Sequence, residues 1–410
     1  MLIRTIILFI LLFFSTGNAT AQEGCTDSQA DNFDAAATTN DGSCVYPTTN
    51  YSLNEIAILP DQVLETSGLA FFDNQLWTHN DAGNEDKIYQ LDTMTGTILN
   101  TVIIANSENT DWEDLAQDDT HLYLGDFGNN SGSRTDLTIY KFPKSQLASG
   151  IATAEVIEFS YADQTDFTVN NNMNDYDCEA FFFYNDSLHL FSKNWVNQET
   201  RHYVVPTNAG SYVAEVRETF NVQGLITGAD ISEDGVVALL GYSLSGVNFM
   251  WLCFDYQGTQ FFSGNKRKIS LGLAINNSQT EALVFKEGGR GYVASEQFAS
   301  LDAKLLSFQS EQWTTNMSTG SSALELNPRL ATVFPNPNTG NVSILFGEKG
   351  VGSFECSIYD LQGKKVFSKI LEAYPQQKLF FGLPEKLVGL YFVELKNEKY
   401  IWREKLFINK

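Results

Sequence analysis

Between residues 65 and 300 the chain repeats one arrangement of apolar and polar positions. An apolar stretch that opens on small residues meets a polar turn, and a second apolar stretch then ends in polar residues. These double stretches read SGLAFFDNQLWTHND from Ser67, EDLAQDDTHLYLGD from Glu113, CEAFFFYNDSLHLFSK from Cys178, GADISEDGVVALLGYS from Gly228 and TEALVFKEGGRGYVASE from Thr280. A third strand follows each: KIYQLD from Lys87, TIYKFP from Thr138, RHYVVP from Arg201, MWLCFD from Met250 and KLLSFQ from Lys304. Taking the alanine of each phrase as a marker, Ala70, Ala116, Ala180, Ala229 and Ala282 lie 46, 64, 49 and 53 residues apart. Short strands repeating at such a period predict an all-β chain built around a β-propeller. Counting phrases predicts five blades over residues 47–313; six is the alternative, with the extra blade inside the 64-residue interval. Only about half a blade follows Ala282 before Trp313, so YSLNEIAIL from Tyr51 is expected to complete the last sheet and leave no open edge.

The flanks differ from the repeat. Residues 1–21 carry one Arg, an apolar run from Ile6 to Phe14 and a small-residue site at Ala19-Thr20-Ala21, which predicts a cleaved secretory signal peptide. Residues 22–46 hold Cys25 and Cys44 around a stretch of Asp, Asn and small residues with almost nothing apolar. Such a segment cannot fold by burial alone, and a Cys25–Cys44 bridge is its natural constraint once the chain reaches an oxidising compartment. Residues 314–326 are rich in Ser and Thr without alternation and predict a linker. From residue 327 to 410, alternating strands between Pro, Asn and Gly turns predict a small immunoglobulin-like β-sandwich.

Two stretches resemble known families. GCTDSQADNFDAAATTNDGSC is similar to the GCTD…DGSC-type repeat of secreted bacterial surface proteins, akin to thrombospondin type 3 repeats. That resemblance implies Ca²⁺ ligands at Asp27, Asp31, Asn32 and Asp41; a stapled polar spacer is the alternative, since no D-x-D-x-D-G run with a closing Glu is present. The last 80 or so residues resemble the type A C-terminal sorting domain of the type IX secretion system. Pro335-Asn336-Pro337 with Gly340, Ile358-Tyr359-Asp360 with Gly363-Lys364, Gly389-Leu390-Tyr391 and Lys405-Leu406-Phe407 carry the likeness. It implies recognition by the type IX machinery, passage across the outer membrane, and an extracellular or surface-attached mature protein. The propeller phrases are distantly similar, in fold and acid placement only, to esterase-like, phytase-like and calcium lactonase propellers.

Charge narrows the partners. With 26 basic against 50 acidic residues the net charge is −24, which repels phosphate backbones and argues against nucleic acid as a partner. Nucleophile elbows, zinc signatures and phosphate-cradling loops are absent from the sequence. What remains is acid at one place in the repeat. Aligning the phrases on their first residues puts Asp114, Glu179 and Glu281 at one position, with Glu65, Glu113, Asp177 and Asp230 within three residues of it. Inner strands line a propeller's channel, so Asp114, Glu179 and Glu281 are the expected ligands of a channel ion, Ca²⁺ by its taste for hard oxygens. His79 and Asp81 just past the first blade's inner strands, and Asp126 with Arg134 in the second, are further candidates at the mouth. Trp195 is the expected exposed aromatic. The alternative reading of these acids is structural: capping strand ends and bonding the backbone of the next blade. The expected function is an exported binding module for a glycan, protein or small molecule; a calcium-dependent phosphoesterase or lactonase working in the channel is the alternative.

Overall fold

The computed structural model describes residues 22–314 and 325–326, and then 331–347, 351–360, 364–374, 377–384, 386–397 and 400–409. The signal-peptide segment lies outside the described residues, as does most of the Ser/Thr-rich stretch. Two compact units are present, residues 1–317 and 318–410.

The first unit is a five-bladed propeller. The inner strands are Thr66–Phe72, Trp112–Gln117, Asp177–Tyr184, Leu225–Ile231 and Thr280–Phe285. Each touches the next, and the fifth returns to the first, closing the ring. Hairpin turns suit the sequence locally: Asp73-Asn74 and Asn185-Asp186 take positive φ at both positions, the backbone that two-residue hairpins favour and that Asn and Asp tolerate. The outer strand of the fifth blade is Asn54–Ile58, which pairs antiparallel with Lys304–Gln309, so the start of the chain closes the ring. The 64-residue interval that could have held a sixth blade is spent otherwise. It contributes Ile151–Thr153 as an extra parallel strand on blade 1 and Glu155–Tyr161 as the fourth strand of blade 2, outside which Gly210–Ala214 pairs in parallel.

Five apolar clusters fill the spaces between successive blades. Trp77 and Trp112 are fully buried between blades 1 and 2, and Phe181 and Tyr203 between blades 2 and 3. Each such side chain contributes roughly 1.5–3 kcal/mol through burial. Free thiols at Cys178 and Cys253 are buried among these residues.

The N-terminal segment is closed by a Cys25–Cys44 disulfide. Its acids do not gather into one site. Asp27 is buried and takes the Tyr46 hydroxyl and the Gln29 amide, while exposed Asp41 accepts the Ser43 amide and Asp31 stands exposed. Short polar side chains here satisfy local backbone turns. The second unit is a β-sandwich of a five-stranded and a three-stranded sheet, with Phe354, Ile358, Leu395 and Trp402 in its core.

Candidate functional site

Every inner strand carries a β-bulge near its start, and the bulged residues are Ser67, Glu113, Glu179, Thr227 and Glu281. A bulge adds one residue to one strand and re-aims a side chain, here at the same depth in all five blades. These five residues are therefore the true equivalents around the ring. Asp114 is not one of them: it pairs with Gly125 as Gly68 pairs with His79 and Ala180 with Phe191. Alignment by the first residue of each phrase therefore runs one residue out of register at Asp114.

Asp114 accordingly leaves the expected metal set. It is fully buried and accepts the amides of Leu115 and of Phe181 in the next blade. Asp230 sits at the opposite end of its strand and accepts the Phe285 amide of blade 5. Both are inter-blade ties, the structural alternative read from the sequence. His79 is not at the mouth either. Its ring is buried edge-on against Trp112, its Nδ1 bonds the Asn80 carbonyl at 2.9 Å and its Nε2 has no partner. Burial pushes it down to about 4, so it stays neutral. A side chain on Gly68 would collide with that imidazole, which is why glycine stands there.

The mouth itself gathers a different set. Asp81, Asp111 and Glu113 offer one oxygen each within 4.8 Å of one another, and Glu113, Asp177 and Glu179 do the same. Glu113 belongs to both groups. Gly128 makes this possible, because a Cβ there would land on the carboxylates of Glu113 and Asp111. Asp177 is fully buried and held on both sides, by the Asn129 amide at 2.6 Å and the Trp195 indole N–H at 2.8 Å. Trp195 is thus half-buried, an orienting group rather than an exposed platform. Glu179 bonds Lys193, whose ammonium lies 4.9 Å over Trp195 and 5.6 Å over Tyr242. Burial alone would lower that ammonium; Glu179, backed by Tyr242, Glu281 and Asp177, raises it well above its usual range. Glu65 stands exposed at the rim, bonded by Asn84, and Asp126 is spent on Arg134 at 2.9 Å.

Electrostatics mark this region apart. Burial and then the neighbouring carboxylates push Glu113 well above the ordinary range, and Asp111 up to about 7. Burial with Glu296 beside it pushes Glu281 up to about 8, and Glu296 itself rises to about 7 through burial and Asp81. Like charges in a desolvated space retain protons or take a cation. The donors are all carboxylate oxygens, the hard set that suits Ca²⁺ or Mg²⁺ and not a thiolate-seeking metal. Lys193, with Arg134 farther off, answers only part of the charge of the five acids around Glu113, so the residues fit a divalent cation.

Asp111, Glu296 and Lys193 were not foreseen from the sequence. For Asp111 a signal existed: Asp111-Trp112-Glu113 repeats as Asp177-Cys178-Glu179, the same acid-x-acid at the same place in two blades.

No curated protein is similar to this chain in sequence. Among solved structures it is similar to a calcium-binding protein, regucalcin, from Agrobacterium tumefaciens strain C58, at 13% identity over 64% of this chain and 95% of that one, with a TM-score of 0.34. That likeness is too loose to carry chemistry between the two chains. Another part of the chain is decisive: residues 332–409 match the secretion system C-terminal sorting domain, and this protein therefore carries a type IX sorting domain and is an exported protein.

Proposed function

We propose that this is an exported binding propeller that engages its ligand through Ca²⁺ held at the channel mouth by Asp81, Asp111, Glu113, Asp177 and Glu179. One observation carries the reading: two three-carboxylate groups share Glu113, in a buried setting where one lysine answers many acids. When bound, the ion supplies a hard Lewis acid to which a ligand oxygen can bind. The residues around it do the positioning. Trp195 and the Asn129 amide fix Asp177, Gly128 admits the acids to close range, and Lys193 neutralises Glu179. The mature protein works outside the outer membrane, at the surface or released from it.

A second reading rests on Glu281 and Glu296. Burial raises both carboxyls toward neutral pH, Glu281 to about 8 and Glu296 to about 7, the range in which a general acid or base works. This favours hydrolysis of a phosphoester or lactone as the activity of the bound complex.

Calorimetric titration of Ca²⁺ into the secreted protein tests the site. Binding at micromolar or better, lost in Asp177→Asn, supports it; no heat and no change in melting temperature sinks it. Turnover of phosphoester or lactone substrates that stops in EDTA would select the second reading over plain binding.

A further inference from the structure

Away from the channel, the face of blade 4 turned toward blade 3 carries an open cleft of about 480 Å³. Its floor comes from two paired strands, with Phe249 opposite Ser270 and Trp251 opposite Lys268. Its far wall is Cys44–Thr49, the stretch that leaves the disulfide and then pairs through Thr49 and Asn50 with Ile269 and Ser270. The volume is in the range of small-ligand sites.

The charge of this cleft is opposite to that of the molecule. In a chain of net charge −24, Lys266 and Lys268 are its charged lining residues and no carboxylate lines it. Lys268 Nζ lies 4.2 Å over Phe249 and 5.3 Å over Trp251, and donates to the Val222 carbonyl at 3.0 Å and to Gln223 at 3.4 Å. Lys266 donates to the carbonyls of Phe262 and Gly264, at 2.9 and 2.6 Å. An ammonium has three protons to give, so each lysine has one beyond its two hydrogen bonds, that of Lys268 lying among the rings of Phe249 and Trp251. Burial without a carboxylate beside it pushes Lys268 down to about 8, as expected of a cation lacking its counter-charge. Two lysines two residues apart on one strand stand about 7 Å apart along it, a spacing that suits two acidic groups on one ligand. Phe249 is buried, and half-buried Trp251 is the floor ring that suits the C–H face of a sugar, with Thr49, Ser243 and Ser270 offering hydroxyls at the edge.

We propose that this cleft is a second binding site, for an acidic carbohydrate of the uronate class. Carboxylates of the sugar pair with Lys266 and Lys268, and a ring lies against Trp251. The site is independent of the channel and needs no cation.

The test is calorimetry on the secreted protein in EDTA with a uronate trimer, the neutral sugar trimer and a sulfated sugar as probes. The uronate trimer is expected to bind, and Lys268→Gln to weaken it about ten- to hundredfold, the loss of one charge-assisted hydrogen bond. Val45→Trp, which enlarges an exposed wall residue and leaves the core untouched, is expected to block binding with the melting temperature unchanged. Equal binding of the neutral trimer, or uronate binding indifferent to both variants, overturns the proposal. So does an absence of binding by the uronate. Binding of the sulfated sugar in place of the uronate would overturn the carboxylate assignment while keeping an anion site.

Discussion

Glu113→Gln should stabilise the protein without calcium and abolish its further stabilisation by calcium. Glu113 is almost fully buried and lies within 4.8 Å, oxygen to oxygen, of two acids in each of its groups. Two full charges at that distance repel by roughly 3.5 kcal/mol at an effective dielectric near 20. Four such neighbours would make full ionisation prohibitive, and the group keeps its proton instead, as its raised pKa indicates. Keeping a proton costs about 1.4 kcal/mol per pH unit above the free glutamate value, so at about pH 7.5 the penalty is capped near ~4 kcal/mol. Glutamine removes that penalty and keeps the shape. A gain of roughly 1–3 kcal/mol is expected in EDTA, or a rise of about 3–10 °C in melting temperature for a domain of this size. In calcium that advantage shrinks to nothing or reverses. An ion at about a hundred times its Kd stabilises the native protein by ~2.7 kcal/mol, and that increment should vanish in the variant. Scanning fluorimetry of both proteins in EDTA and in excess Ca²⁺ reads the four values. A variant less stable than the native protein in EDTA that still shows the full calcium increment would refute the reasoning, because Glu113 would then be a structural tie like Asp114.

Other outcomes follow from neighbouring groups. Glu179→Gln strips Lys193 of its direct partner in a buried site and should cost roughly 3 kcal/mol in urea denaturation, with Asp177 and Glu281 limiting the loss; adding Lys193→Met should recover most of it. A single variant within about 0.5 kcal/mol of native would contradict the ion pair's role. His189 is held down to about 3 by burial and by His202, which it meets at 2.8 Å. The unfolded chain takes that proton near pH 6.5, so stability drains as pH falls from there toward the folded value, by up to ~1.4 kcal/mol per unit. Raised carboxyls pull the other way, so the measurement is the difference from His189→Gln, which should narrow on acidification; a constant difference from pH 7 to 5 would count against it. Removing residues 332–409 should leave the protein in the periplasm, as cell fractionation would show, whereas unaltered secretion would deny that tail its role.

The sequence by itself determined the architecture. Alternation in five copies, the position of each third strand and the half-blade left at the end are consequences of burial, and burial is written in composition at a period of two. Thus Asn54–Ile58 closes the ring as Tyr51 and its neighbours foretold, and the run from Pro335 to Phe407 identifies the sorting domain through motifs that are local by nature. Which acids meet was not written that way. A bulge shifts one residue without changing the hydrophobic pattern much, yet it turned Glu113 into the mouth and Asp114 into the wall. His79 and Asp81 are two residues apart, and only the close approach of Trp112 from the next blade decided that one is core and the other faces the channel mouth. Lys193, Glu296 and the lysine cleft of blade 4 arise where separate blades face each other. Contacts of that kind depend on side-chain direction across long sequence separations, which tertiary packing sets and a linear pattern does not carry.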